Sequence, residues 1–383
     1  MARTVFVTGA SGFVGQNLVK RLCQNEMKVR CLVRKSSNRT ELEKLGVEFI
    51  EGDISNRESL ISGATDSNVV FHLAGLTRSI TANDFMQVNR DGCRNIAFAC
   101  LEAKRKGKTD PILVSVSSLS AAGPASKNEF WSNYSSSSDS GGQSSFSKYN
   151  PKEETEIPCP ISPYGKSKWA GEKELISFAD KLSISIVRPP FIFGEGDRLS
   201  LPLFKMVKKL PIFLIPGYFN QHYSFVYVGD LVEILIRISE QGERLVPDSL
   251  TKIETQNDLN SDSIETRKRA ICSGQGIYFA SHWERPLFSD FGKIVSQAVG
   301  RQKIISLRCP PLGVIGTGIV QEFWKKATKR PVSLDWNKTI EALSGPWICS
   351  TQKIEQSLAF RSKESLQEQI QRTADWYFGQ KWI

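Results

Sequence analysis

Short apolar runs alternate with amphipathic stretches through the first half of the chain. Thr4 to Thr8 reads as a strand, followed by a helical pattern reaching Cys23. Lys28 to Arg34 and Val47 to Glu51 read as strands on either side of a helical turn at Glu41 to Leu45. Val69 to Leu73 is a fourth strand, Asp84 to Lys106 one long amphipathic helix, and Ile112 to Val116 a fifth strand. Strand and helix taking turns predicts βαβ units and a parallel sheet. The runs TVFV, VVFHLA and ILVSV are apolar on both faces, as a sheet covered by helices on both sides requires.

Two polar segments interrupt this order. Residues 126–150 are rich in Ser, Gly and Asn and read as a long flexible insertion. Residues 241–269 are polar and charged and read as a second insertion. The C-terminal third carries Trp324, Trp336, Trp347, Trp376 and Trp382, whose expected role is to pack a small lobe against the sheet.

Composition narrows the function classes. The 383 residues carry a formal charge of +10, which keeps anionic ligands, nucleic acid and membrane surfaces in view. The cations are spread along the chain, and the densest group, Lys104, Arg105, Lys106 and Lys108, reads as a solvated helix end. No basic run is interleaved with aromatics, so no nucleic-acid partner is expected. The eight cysteines show no Cys-x-x-Cys pair and no zinc-like spacing with His, so neither a metal site nor a disulfide framework is expected. The opening MARTVFVTGA enters a strand at once, and no apolar run approaches the ~20 residues of a membrane span. The expected location is cytoplasmic.

The sharpest chemical signal is Thr8-Gly9-Ala10-Ser11-Gly12-Phe13-Val14-Gly15, which follows the first strand and opens the first helix. In that context glycines make a tight turn, let backbone approach a pyrophosphate and aim a helix N-terminus at its charge. The expected fold is accordingly an α/β, Rossmann-type doubly wound parallel sheet with a smaller C-terminal substrate-binding lobe. Residues 1–190 are assigned to the dinucleotide-binding domain and 191–383 mainly to the lobe, with 222–240 returning to the sheet domain. Where an NAD site places an acid at the end of the second strand, this chain has Arg34, and a guanidinium suits a 2′-phosphate. NADP is therefore favoured over NAD as cofactor.

The glycine turn, GDI (52–54), VFHLAG (70–75), VNRDG (88–92), VSSLSAAG (116–123), SPYGKSK (162–168) and VRPPFIFGEGD (187–197) together resemble the extended branch of the short-chain dehydrogenase/reductase superfamily, the NAD-dependent epimerase/dehydratase family. That branch contains nucleotide-sugar epimerases and dehydratases, dihydroflavonol-type reductases and hydroxysteroid dehydrogenases. The resemblance implies that Asp53 and Ile54 border the adenine, that Leu73, Ala74 and Gly75 line the central ribose and phosphates, and that Asn89 supports the helix behind the site. It also implies that Phe191 offers its backbone to the nicotinamide amide. His72 reads as a packed strand residue. By analogy with the branch, a homodimer would form through the helices at 84–106 and 163–180.

Tyr164 and Lys168 stand four apart on a helix begun at Ser162 and Pro163, so both face one way. A free phenol ionises near pH ~10 and is a poor base at neutrality, but a neighbouring ammonium and a positive nicotinamide favour the phenolate. Ser118, after the fifth strand, lies at the sheet's carboxyl edge, where ligands bind. Ser118, Tyr164 and Lys168 are thus the candidate catalytic residues for hydride exchange between a nicotinamide and a secondary alcohol or ketone. Sugar-nucleotide dehydratases carry an Asp-Glu pair where this chain has Leu119 and Ser120, so elimination of water is not expected. Ala122-Gly123 replaces the Tyr-Gly of many epimerases. Arg198, Lys205 and Lys208 are candidate grips for a diphosphate, while the apolar stretch Pro211 to Phe219 would instead floor a pocket for a lipid-like substrate. A nucleotide-sugar epimerase with tightly held NAD, and a non-catalytic dinucleotide-binding scaffold, are the competing readings.

Overall fold

This computed structural model describes residues 3–79, 81–126, 149–247, 252–255, 268–328 and 336–383. Its strands are β1 (Thr4–Thr8), β2 (Lys28–Val33), β3 (Glu48–Glu51), β4 (Val69–His72), β5 (Ile112–Val116), β6 (Ile184–Arg188), β7 (Phe191–Phe193), β8 (Ile212–Pro216), β9 (Phe225–Tyr227), β10 (Lys252–Thr255), β11 (Lys268–Ile271), β12 (Ile277–Phe279) and β13 (Ile305–Cys309). Seven of them form one parallel sheet in the order β12-β6-β5-β4-β1-β2-β3. The order reverses between β1 and β4, and ligands of doubly wound sheets bind at that switch point.

The helices are α1 (Phe13–Gln24), α2 (Thr40–Glu43), α3 (Arg57–Ala64), α4 (Ala82–Phe85), α5 (Asp91–Lys106), α6 (Leu119–Ala122), α7 (Pro163–Ile176), α8 (Leu201–Lys209), α9 (Val228–Gln241), α10 (Phe288–Ala298), α11 (Pro311–Thr328), α12 (Trp336–Leu343), α13 (Gln352–Leu358) and α14 (Leu366–Gly379). Leu18, Leu22, Leu231 and Leu235 of α1 and α9 cover one face of the sheet, while Leu60, Ile96, Cys100 and Leu175 of α3, α5 and α7 cover the other. Central strands buried on both faces follow directly from their unbroken apolar runs. A separate core of Phe204, Phe213, Phe225, Phe291, Ile370 and Tyr377 builds the lobe, around the pairs β7–β9 and β8–β13.

Two expectations change. The single helix expected over Asp84 to Lys106 is α4, a π-helical stretch Met86–Arg90, and α5. The wider π turn takes up an extra residue without ending the helix. Asn89 lies within it and donates through Nδ2 to Ser167 Oγ (2.9 Å) on α7. Trp324 does not pack the lobe and is 64% exposed. The inner side of α11 is taken by Val314 and Gly318 against α12, which leaves Trp324 facing outward. Trp376 and Trp382, by contrast, meet edge to face at 4.9 Å. Most of the insertion read at 126–150, and much of that read at 241–269, lies outside the described residues; β10 and β11 pair antiparallel within the second.

Candidate active site

The carboxyl ends of β1 and β4 meet at the glycine turn. Gly9 has φ of 73°, and a methyl group there would lie 2.6 Å from the Ala74 backbone nitrogen, so only glycine fits both the turn and the contact. At Gly15 a methyl would come 2.2 Å from the Gly9 carbonyl oxygen, so α1 packs directly on its own entry turn. Gly12 caps α1 without a side chain, and the first turn (Phe13, Val14, Gly15) carries no acid. Those free N–H groups and the helix dipole favour an anion, so the turn fits a dinucleotide's pyrophosphate. Ser11 sits at the same turn, its carbonyl held by Gln16 Nε2 at 3.0 Å.

Leu73, Ala74 and Gly75 run on from β4 along this edge. A methyl at Gly75 would stand 3.1 Å from Asn89 Oδ1 and 3.5 Å from Lys168 Nζ, which brings three predicted site residues to one point. Asn89 grips the next residue from both sides, accepting from Leu76 N (2.9 Å) and donating to Leu76 O (3.0 Å). Of the two residues expected to border an adenine, Ile54 is buried against Gly92, and Asp53 accepts from Ser55 N at 3.0 Å. Arg34 is exposed at the end of β2 and makes no ion pair with a described residue. The nearby Glu51 is engaged by Arg39 (3.4 Å) and Lys35 (3.7 Å), so its charge is offset.

At the carboxyl end of β5, Lys168 is almost fully buried on α7 and donates to Val116 O at 2.8 Å, the last carbonyl of that strand. Tyr164, one helical turn earlier, is buried with its ring 5.9 Å from Phe85. Pro163 at the start of α7 and the Ser162 cap, which accepts from Gly165 N at 3.0 Å, fix where that helix begins. Ser118 caps α6, its Oγ accepting from Ser120 N at 3.1 Å, and a hydroxyl used this way keeps its proton to donate. Phe191 opens β7 with its ring edge-on to Phe225 at 5.8 Å. His72 is indeed packed: its Nδ1 is 2.8 Å from Thr8 Oγ1, and burial, then the Lys168 charge, push its pKa down to about 3.

Five supporting residues escaped the sequence reading. Glu172 and Arg188 form a fully buried pair, with Arg188 Nε 3.0 Å and Nη2 2.6 Å from the two carboxylate oxygens, and Ser117 Oγ donates to the same carboxylate. This triangle ties the ends of β5 and β6, which lead into Ser118 and Phe191, to α7, which carries Tyr164. Glu172 sits one turn past Lys168, and that stripe, read together with Arg188, was the available signal. Lys338 of α12 places its ammonium 5.5 Å from the Tyr164 ring centre, and Glu341 of the same helix accepts from Ser162 Oγ at 2.7 Å. Nothing in the sequence links such distant positions. Arg198 and Lys208 lie over the rings of Trp382 (5.1 Å) and Phe378 (4.5 Å), engagements a diphosphate would have to displace.

Known proteins are similar to this chain. The ceramide reductase of Caulobacter vibrioides is 26% identical over 379 residues, 99% of this chain and 96% of that protein. Sterol demethylase protein B of Methylococcus capsulatus is 28% identical over 251 residues, 63% of this chain and 67% of that protein. The solved UDP-glucose 4-epimerase of Thermotoga maritima, 18% identical and covering 99% of both chains, superposes with a TM-score of 0.65 and so shares the fold. The profile of the NAD dependent epimerase/dehydratase family matches residues 5–250, and the chain belongs to that family.

Proposed function

We propose that the protein is an NADP(H)-dependent reductase that interconverts a ketone and a secondary alcohol on a lipophilic substrate. The observation that carries this reading is the Lys168 ammonium. It is buried beside Gly75 at the cofactor edge and anchored to Val116 O, one helical turn from Tyr164. When bound, the nicotinamide supplies or accepts the hydride at the reacting carbon. Tyr164 gives its proton to the carbonyl oxygen during reduction and takes it back during oxidation. Lys168 stabilises the phenolate left behind, and Ser118 donates a hydrogen bond to the same oxygen. Arg34, at the end of β2 with no ion pair to a described residue, favours the 2′-phosphate of NADP.

Lipophilic chemistry is supported by two relatives, the ceramide reductase and sterol demethylase protein B. The test is NADPH oxidation against a panel of long-chain ketones, including a ceramide-like ketone, with Tyr164→Phe as control. Turnover should fall by about 10²- to 10⁴-fold in the variant while cofactor affinity stays near the wild-type value. Full activity in Y164F would remove Tyr164 from the proton transfer. Stoichiometric NAD held through purification, with interconversion of UDP-sugars, would replace the reductase by an epimerase.

A further inference from the structure

We propose that the outer face of α11, together with the exposed side of β8–β13 and the Tyr218–Phe219 turn, docks the protein on an anionic phospholipid bilayer. On α11, Leu312, Gly316, Thr317, Ile319, Val320 and Trp324 share one side by helical spacing, and four of them are 57–81% exposed apolar side chains. The one charged residue between Leu312 and Trp324 is Glu322, which helical spacing puts on the opposite side. The strand pair that leads into α11 carries apolar side chains as well. Its register sets Leu214 beside Leu307 and Ile212 beside Ile305, and Leu214, Leu307 and Ile305 are 50%, 44% and 59% exposed. The alternate positions Phe213 and Ile215 are buried, as a period of two requires. Tyr218 and Phe219, directly after β8, add side chains that are 59% and 71% exposed. Exposed apolar side chains on connected elements of a folded chain mark a docking site.

Charge identifies the occupant. Exposed Lys209, Lys303 and Arg308 flank the surface without an ion pair to any described residue. Two copies of a chain of charge +10 would bring these rims together like against like, whereas acidic headgroups complement them. Trp324 and Tyr218 suit the headgroup level, where amphipathic rings settle. Among the described residues no helix is long and apolar enough to cross the bilayer, so the contact is an in-plane one. The surface also lies over the site. α11 packs on α12, where a methyl at Gly318 would meet Thr339 Oγ1 at 2.5 Å, and α12 carries Lys338 to the Tyr164 ring. A docked protein would thus turn its substrate side toward the lipid. The inference stands on surface chemistry and is independent of the reductase reading.

The test is co-sedimentation with phosphatidylcholine vesicles with and without phosphatidylglycerol, which needs no turnover. Wild-type protein should pellet with the anionic vesicles and be released by added salt. Ile319→Glu/Val320→Glu on α11, and separately Leu214→Ser on β8, should each lower partition by about tenfold or more. NADP(H) affinity should be unchanged in both, because the altered side chains are exposed; this separates lost docking from lost folding. Failure of the wild type to pellet, or equal recovery on neutral and anionic vesicles, would overturn the proposal. A dimer in light scattering that I319E/V320E dissolves would overturn it too, since a second copy would then be what covers the face.

Discussion

Two predictions rest on single side chains, one on cofactor choice and one on the response to acid. Arg34 makes no ion pair with a described residue at the end of β2, and Glu51 is engaged by Arg39 and Lys35, so a 2′-phosphate there would meet a guanidinium that no described carboxylate opposes. A hydrogen bond to a charged group is worth about 1.5–3 kcal/mol, so Arg34→Ser should weaken NADPH binding by about 10- to 100-fold. NADH binding should hardly move, and a fluorescence titration of both nucleotides reads the difference. His72 acts through its charge state instead. Burial, aided by the Lys168 charge, holds its folded pKa at about 3, below the ordinary 6.5. Between those values the unfolded chain binds a proton that the folded chain refuses. Stability is therefore complete above the ordinary value and falls as pH drops toward the folded one. In His72→Asn, which keeps a polar atom near the Nδ1 position, urea midpoints should lose that slope, worth up to about 1.4 kcal/mol per pH unit. An unchanged slope would place the acid sensitivity elsewhere.

At the scale of elements, the sheet was legible because buried parallel strands write unbroken apolar runs, and the glycine turn was legible because only glycine tolerates its contacts. β12 went unread: three residues, Ile277–Phe279, are too few for a pattern, and the strand forms only where β6 offers an edge. The π stretch Met86–Arg90 was hidden for a related reason, since its stabilisation comes from Asn89 reaching Leu76 and Ser167, contacts distant in sequence. The same holds for the Glu172–Arg188 pair, which neither residue announces alone. Removing one partner of a buried pair leaves an uncompensated charge, so Glu172→Met should cost about 3–5 kcal/mol. The double variant Glu172→Met/Arg188→Met should cost less than the single, because no charge is then stranded, and denaturant unfolding of both distinguishes the cases. Gly171 makes a sharper geometric claim. A methyl there would lie 2.4 Å from Asn89 O, a backbone atom, so Gly171→Ala must push α7 away from the π stretch. The cost should be about 1–3 kcal/mol, with weakened cofactor binding as Asn89 and Lys168 lose their alignment.

For the whole molecule, the apolar outer surface and the buried chemistry lie on the two sides of α12. Its Lys338 and Glu341 contact the Tyr164 ring and Ser162, while Thr339 faces α11. A lipophilic ketone is scarcely free in water, so the rate of meeting it depends on where the enzyme sits as well as on the pocket. If docking and reduction belong to one function, turnover of a long-chain ketone should be faster in phosphatidylglycerol-containing vesicles than in detergent micelles. It should also decline as salt screens the basic rim, since exposed charges lose their reach beyond a Debye length of about 10 Å at 0.1 M. I319E/V320E should lose the vesicle advantage yet reduce a short water-soluble ketone at the wild-type rate. A variant equally slowed on both substrates would instead mean that α11 shapes the pocket through α12. Vesicle-independent turnover of the wild type would separate the docking surface from catalysis altogether.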